Sequence, residues 1–201
     1  MVAVSAGLVH RIIGIVLLLP LLGWAVTGAI FFIKPGYGGA YEQLAVKTYP
    51  LDGGETIRPQ AGWREARMVK TILGTHFLAR TDAGWRNLDP TSLLPAPIPG
   101  DEAMQRLLHD AFTANPDRYG KIVRLVDRTV TTDTGVEVVL DWNRLSLQQR
   151  GKDTARIDGL YKIHYLQWTG NKTVDKFVGA IGLVLLVTLA LIGARLAFRF
   201  R

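Results

Sequence analysis

The sequence contains no cysteine among its 201 residues. This absence excludes disulfide bonds, thiolate nucleophiles, iron–sulfur clusters and zinc sites built on thiolates. The one pair of adjacent acids, Asp101 and Glu102, stands at the start of a helical pattern, where negative charge suits the helix dipole. No glycine-rich loop of the kind that cradles phosphates is present. We therefore predict no catalytic residue and no metal site, and a protein that is not an enzyme.

Two long stretches lack any charged residue. Residues 12–33 form an uncharged run of 22 residues, and residues 177–194 form one of 18. As helices they would measure about 33 Å and about 27 Å, close to the thickness of a bilayer's hydrocarbon core, about 30 Å. The first run is longer than the apolar part of a signal peptide and ends in bulky Phe31 and Phe32, so we expect an uncleaved anchor. The sequence predicts a membrane protein with two transmembrane helices.

Acidic residues are missing from both ends of the chain. All 17 of them lie within residues 42–175, whereas Arg11 precedes the first apolar run and Arg195, Arg199 and Arg201 follow the second. The positive-inside rule then predicts that both termini are cytoplasmic. The net charge of +7 does not indicate a nucleic-acid partner, because no basic stripe with interleaved aromatic residues appears.

The stretch between the two apolar runs predicts an α+β domain with an antiparallel sheet. Short strands are expected at residues 68–73, 75–81 and 85–88, because β-forming residues there are bounded by turn residues. A helix is expected over residues 101–114, where five apolar residues recur at helical spacing. These five are Met104, Leu107, Leu108, Ala111 and Phe112.

A hairpin is expected in the second half of the domain. Its strands would be residues 122–131 and 136–147, with a turn at Asp133-Thr134-Gly135 between them. A further turn at residues 150–153 would lead into a short strand at residues 155–157. The predicted parts of the chain are an N-terminal transmembrane helix (1–34), an extramembrane domain (35–160), and an aromatic belt with the C-terminal transmembrane helix (161–201).

Small residues in both apolar runs favour close helix packing. Pro20 removes a backbone hydrogen bond and is expected to kink the first helix. Trp24 lies in mid-span, where its indole N–H needs a hydrogen-bond partner. The chain's own two helices or neighbouring subunits could provide these contacts. The residues predicted to take part in helix packing are Pro20, Gly23, Trp24, Thr27, Gly28, Gly179 and Gly182.

Aromatic residues precede the second apolar run. Tyr161, Tyr165 and Trp168 are spaced four and three residues apart, so they would share one face of a helix at the membrane interface. Asn171 is expected to cap the helix that follows. The predicted membrane-interface residues are Tyr161, His164, Tyr165, Trp168, Arg195 and Arg199.

Short motifs near both ends carry a family resemblance. The first helix begins with His10-Arg11 and ends with Thr27-Gly28, and residues 160–168 contain a Leu-His-type segment before the last helix. Residues 84–91 read Gly-Trp-Arg-Asn-Leu-Asp-Pro-Thr, a strand that ends in Asp-Pro. In these features the chain resembles the PepSY-associated transmembrane family. It departs from the family pattern after Thr91, where the expected glycine is absent.

The resemblance implies a periplasmic PepSY-like domain in a bacterial inner membrane, with both termini in the cytoplasm. Longer members of the family include ferric-siderophore reductases that bind haem through membrane histidines, so haem b is the alternative cofactor and His10 its candidate ligand. His164 would lie at the opposite membrane face, about 30 Å away, so one chain cannot place both histidines on one haem. A homodimer could pair His10 with its twin.

We accordingly expect a non-enzymatic, membrane-anchored interaction protein without a cofactor. It would serve as an accessory subunit of a larger complex, with the lipid bilayer and other integral membrane subunits as its partners. The alternative is a haem-binding electron-transfer component. Because a fold does not determine a function, the resemblance alone does not choose between them.

Overall fold

The computed structural model describes residues 5–54, 56 and 59–199. The chain divides into two compact units. Gly38–Thr154 form the first, which we call the αβ domain, and the described residues on either side of it form the second, which we call the helical unit. The described helices are α1 (Ala6–Ile33), α2 (Tyr37–Ala40), α3 (Asp101–Phe112), α4 (Pro116–Tyr119), α5 (Lys152–His164) and α6 (Lys172–Arg199). The described strands are β1 (Glu65–Thr71), β2 (Gly74–Thr81), β3 (Gly84–Leu88), β4 (Ile122–Val126), β5 (Thr129–Thr132), β6 (Glu137–Asp141) and β7 (Ser146–Arg150).

Helices α1 and α6 are long and apolar enough to cross a membrane. Each has 28 residues and is therefore about 42 Å long. Only 11% and 6% of the residues in their most apolar stretches are buried. A core helix of a soluble protein would be largely buried, so this exposure favours helices that face lipid.

The ends of both long helices follow from local capping. Helix α1 ends where Lys34 adopts the left-handed conformation, with φ of 53°, and donates its N–H to the carbonyl of Ile30. Pro35 and Gly36 then follow, as expected for a helix end. At the start of α6, Oδ1 of Asn171 accepts hydrogen bonds from the N–H groups of Thr173 and Val174. The predicted cap is confirmed.

The first sheet of the αβ domain has the antiparallel order β1-β2-β3. The three strands predicted at residues 68–73, 75–81 and 85–88 are confirmed, although β1 starts three residues earlier, at Glu65, and ends two residues earlier, at Thr71. The strands are joined by short turns, with Gly74 and Gly84 at φ of 113° and 110°. Glycine adopts these positive values at little cost, which explains why the turn residues marked the strand ends correctly.

The second sheet is a four-stranded antiparallel meander, β4-β5-β6-β7. The predicted turn at Asp133-Thr134-Gly135 is confirmed, because it joins the paired strands β5 and β6. The prediction of two long strands was wrong, because the first is divided into β4 and β5 and the second into β6 and the start of β7. The additional turns contain Asp127 and Arg128, at φ of 54° and 117°, and Leu145, at φ of 48°. Neither glycine nor proline marks these turns in the sequence, and non-glycine residues rarely adopt such φ values. The two additional turns were therefore not predicted.

The strand predicted at residues 155–157 is also wrong, because this stretch lies in helix α5. The helix start is hydrogen-bonded locally: Oγ1 of Thr154 accepts from the N–H of Gly151, and Oδ1 of Asp153 accepts from the N–H of Thr154. Good helix formers such as Ala155 and Leu160 then outweigh the cost of Gly159 in the helix interior.

One hydrophobic core joins α3 to both sheets. All five apolar residues predicted for the buried face of α3 are at most 3% exposed. They pack with Leu78 of the first sheet and with Val138 and Leu140 of the second. Two hydrogen bonds also link the segments: Nδ2 of Asn87 donates to the carbonyl of Trp142, and Nε1 of Trp142 donates to the carbonyl of Ala96. The two sheets therefore belong to one domain.

Candidate functional site in the helical unit

Helices α1 and α6 are antiparallel neighbours. A Cβ atom built on Gly14 would lie 3.8 Å from Cδ1 of Leu189, and one built on Gly193 would lie 3.0 Å from Cε1 of His10. The N-terminal half of α1 thus packs against the C-terminal half of α6. We call these four residues the α1–α6 contact.

None of the predicted packing glycines, Gly23, Gly28, Gly179 and Gly182, lies in this contact, which is formed at Gly14 and Gly193 instead. A Cβ on Gly23 would lie 3.5 Å from Cγ2 of Ile163, and one on Gly182 would lie 3.3 Å from Cδ1 of Leu166. These two glycines therefore accommodate α5 and the turn after it, not each other. A Cβ atom built on Gly28 or on Gly179 would meet no heavy atom of another element within 4 Å in the described part of the chain.

Helix α5 supplies the hydrogen-bond partner that Trp24 was predicted to need. Nε1 of Trp24 donates to the backbone carbonyl of His164 at 2.6 Å. This carbonyl belongs to the last turn of α5, where carbonyls have no partner within their own helix. Oγ1 of Thr27 donates to the carbonyl of Gly23 at 2.6 Å and lies 2.8 Å from Nδ1 of His164. Since a hydroxyl carries one proton, this arrangement assigns the second hydrogen bond to Nδ1–H of the histidine as donor.

The predicted aromatic belt packs mainly against α1. The ring of Phe31 stacks on Tyr161 at a centroid distance of 4.8 Å, and Tyr161 stacks on Tyr165 at 5.9 Å. Trp168 does not continue this face, because α5 has ended and Leu166 reverses the chain with φ of 54°. Trp168 is half exposed. The shared face therefore includes the two tyrosines alone of the three predicted aromatic residues.

The two histidines of interest lie near opposite ends of α1. His164 contacts Thr27, which is 17 residues from His10, a distance of about 26 Å along a helix. The described residues therefore do not fit a haem with two axial ligands from one chain. They also contain no group of three or more histidine or acidic residues that could hold a metal ion. Nδ1 of His10 is buried and has no hydrogen-bond partner among the described residues.

The remaining predicted residues are placed as follows. Helix α1 continues without interruption through Pro20. Arg195 is exposed and lies near the end of α6, whose last residue is Arg199. Arg201 lies outside the described residues.

A cavity of about 520 Å³ lies at the connection between α5 and α6. We call it the lysine cavity. Its polar lining comprises Lys162, Tyr165, Gln167, Lys172, Asp175 and Lys176. The sequence does not predict this cavity, because no local pattern indicates that α5 and α6 converge on one space.

A second polar cluster lies within the αβ domain and is structural. Arg118, whose side chain is 12% exposed, donates to Asp153 at 2.7 Å and to Oε1 of Gln149 at 2.6 Å. Nε2 of Gln149 in turn donates to the carbonyls of Gly39, Ala40 and Glu42. The cluster thereby fastens the first and last residues of the domain to its second sheet.

The electrostatics of this cluster agree with its hydrogen bonds. The hydrogen bond from Arg118 holds the pKa of Asp153 below its ordinary value. Burial, followed by the nearby carboxylate of Glu42, raises the pKa of Tyr119 to about 12. Asp153 therefore stays ionised and Tyr119 stays protonated near neutral pH, as expected of a structural network.

Comparison with protein-family models, curated proteins and solved structures gives no significant match to this chain. The resemblance to the PepSY-associated transmembrane family therefore stays an expectation.

Proposed function

We propose that α1 and α6 span a bacterial inner membrane and that the αβ domain is a periplasmic PepSY-like interaction module. The protein would act without catalysis, as an accessory subunit of a larger membrane complex. Support comes from the length, composition and exposure of the two helices. The contacts of Trp24 and Thr27 inside the chain remove one reason to expect neighbouring helices, so the argument for a partner rests on the domain.

The observation that carries the proposal is the unbridged edge of β4, a strand that α3 adjoins near Ile122. The described sheets have four outer strands, and three of them are bridged by non-strand segments. These bridges are Tyr49 to Lys70, Leu88 to Pro95 and Ala45 to Ser146. Within the described residues, β4 has no such bridge. It also exposes two apolar side chains, Val123 at 67% and Val126 at 46%.

An unbridged edge strand offers its free N–H and C=O groups to a further strand. Addition of an extended segment to such an edge is a common mode of protein recognition. The irregularity in pairing between Ile122 and Arg124, together with the arginine's charge, opposes indiscriminate pairing. We therefore propose an extended, partly apolar segment of a neighbouring membrane subunit as the partner of β4.

Replacing Val123 and Val126 with lysine should remove the protein from its complex. The measurement is native sizing after extraction in mild detergent. Wild type is expected to run well above the size of a monomer with its detergent, and the double variant at the monomer size. The matched control replaces Ile72 and Leu51 with lysine, two residues that are 49% and 44% exposed and lie outside the described strands. A wild-type protein that runs as a monomer would contradict the accessory-subunit proposal.

The proposed orientation predicts the behaviour of reporter fusions. A phosphatase that is active only in the periplasm should be inactive when fused after Arg201, because positive flanks favour the cytoplasm. The same reporter inserted at Thr134, in the turn between β5 and β6, should be active. The reverse pattern would invert the topology while leaving the two spans in place.

One observation favours the alternative function, haem binding for electron transfer. Nδ1 of His10 is buried without a partner among the described residues, so this histidine could serve as a single axial ligand. The second ligand would come from a twin or from another subunit. An absorption spectrum separates the two proposals, since a haem protein purified under mild conditions shows a Soret band that His10→Ala abolishes, whereas the accessory subunit is colourless.

A further inference from the structure

The lysine cavity lies where α6 changes from polar to apolar. Lys172, Asp175 and Lys176 precede the uncharged run, which begins at residue 177. Gly179, one turn inside that run, also lines the cavity. Its volume of about 520 Å³ falls within the range of about 300–1,000 Å³ that small-molecule sites occupy. The cavity thus adjoins both a charged surface and an apolar surface.

The charge facing the cavity is positive and uncompensated. Lys162, Lys172 and Lys176 form no ion pair with a described carboxylate. The one acid in the lining, Asp175, is 7% exposed, and its Oδ1 accepts hydrogen bonds from the N–H and the hydroxyl of Thr169. Three lysines and one aspartate leave a net charge of +2, which favours a bound anion.

The lysine side chains, not the helix end, provide the attraction. The first N–H groups of α6 are occupied, because Asn171 accepts from Thr173 and Val174. A phosphate would therefore have to be held by the ammonium groups, with Gln167 as a further polar neighbour.

The surface next to the cavity is suited to acyl chains. Leu183 is 60% exposed and Val187 is 51% exposed, and the helical period of about 100° per residue places both on the face of α6 that carries Lys176. Tyr165, 59% exposed, adds a ring of the kind that is enriched at the level of lipid headgroups. A soluble anion would make no use of this apolar surface.

We propose that the lysine cavity binds the phosphodiester headgroup of an anionic glycerophospholipid, whose acyl chains lie along α6. The inference rests on the proposed function in one respect, namely that α6 spans a membrane. The lipid site goes beyond the proposed function, because that function assigns no ligand to Lys162, Lys172 and Lys176. Basic pockets beside membrane helices are suited to anionic headgroups because each cation near the surface adds to the attraction.

The test uses the full-length protein in detergent and native mass spectrometry. Phosphatidylglycerol and phosphatidylcholine are offered at equal concentration, and the retained lipid is counted. Wild type should retain phosphatidylglycerol at least about tenfold more than phosphatidylcholine. The variant K162Q/K172Q/K176Q should lose this preference. The matched control R86Q/R106Q/K121Q removes three exposed cations of the αβ domain and should keep it.

One further measurement identifies the source of the phosphate, and another tests separately whether α6 spans a membrane. Glycerol phosphate at millimolar concentration should not displace the lipid; if it does, the site takes a soluble phosphate and the lipid proposal is overturned. Equal retention of the two lipids by wild type, or loss of preference in both triple variants, would also overturn it. Resistance of the protein to alkaline extraction from membranes tests the span itself, so a failed span and a failed lipid site give different results.

Discussion

Replacing Arg118 with alanine is expected to lower the free energy of unfolding of the αβ domain by about 3 kcal/mol. The guanidinium is 12% exposed and holds Asp153, Gln149 and Glu42 around it. Its removal leaves the carboxylate of Asp153, whose side chain is 23% exposed, without its cation, and a partly buried charge that loses its partner costs more than the pair contributes. Denaturant unfolding of the full-length protein in detergent, followed by tryptophan fluorescence, measures the change.

Two comparisons separate this cause from a general effect of losing an arginine. Arg106→Ala removes an exposed arginine of α3 and should change stability by less than about 0.5 kcal/mol. The double variant Arg118→Ala with Asp153→Ala should be less damaged than the sum of the single variants, since neither charge is left alone. Additive losses would show that the pair does not act as a unit.

The same pair predicts a pH dependence. The pKa of Asp153 is depressed in the folded protein, chiefly by the hydrogen bond from Arg118. The unfolded state therefore binds the proton more tightly, so the stabilisation is fully present above the unfolded value of about 3.9 and is lost as pH falls through the folded pKa. The Arg118→Ala variant should lose less stability than wild type between pH 5 and pH 2.

The sequence predicted those parts of the fold that a strong local pattern determines. The apolar spacing in α3 and the turn glycines Gly74 and Gly84 left few alternatives, and the structure agrees with both. The four-stranded meander was missed because its extra turns contain neither glycine nor proline, and the turn-favouring residues Asp127 and Asn143 are weak signals when each stands alone. Strand pairing across the sheet imposes the conformation of these turns, and a local sequence pattern carries no information about that pairing.

For the candidate site, the sequence predicted what a single residue requires, but not which residue meets that requirement. Trp24 was expected to require a hydrogen-bond partner, but that partner is His164, 140 residues away in the chain. Residues 161–168, which contain His164, were expected to form an aromatic belt at the membrane interface, and residues 155–157 were expected to form a strand. In the structure, residues 155–157 and 161–164 belong to the single helix α5. Because residues 150–157 were predicted as a turn and a strand, the packing of α5 against Gly23 and its part in the lysine cavity could not be predicted.

Replacing Gly193 with leucine should weaken the pairing of α1 and α6. A Cβ at this position would already lie 3.0 Å from Cε1 of His10, so a longer side chain must displace the histidine or separate the helices. Overpacking of this kind costs about 1–3 kcal/mol, and close approach at small residues is a main source of helix association in membranes. The thermal unfolding midpoint of the helical unit in detergent, followed by far-ultraviolet circular dichroism, should fall.

Gly28→Leu is the matched control for this prediction, since a side chain there meets no described atom within 4 Å. Both substitutions gain the same helix propensity and the same apolar area, so only the contact with His10 distinguishes them. Adding His10→Ala to Gly193→Leu should restore much of the lost stability, because the smaller side chain vacates the space that leucine needs. If Gly28→Leu proves as damaging as Gly193→Leu, or if His10→Ala gives no rescue, the α1–α6 contact does not run through Gly193 in the membrane.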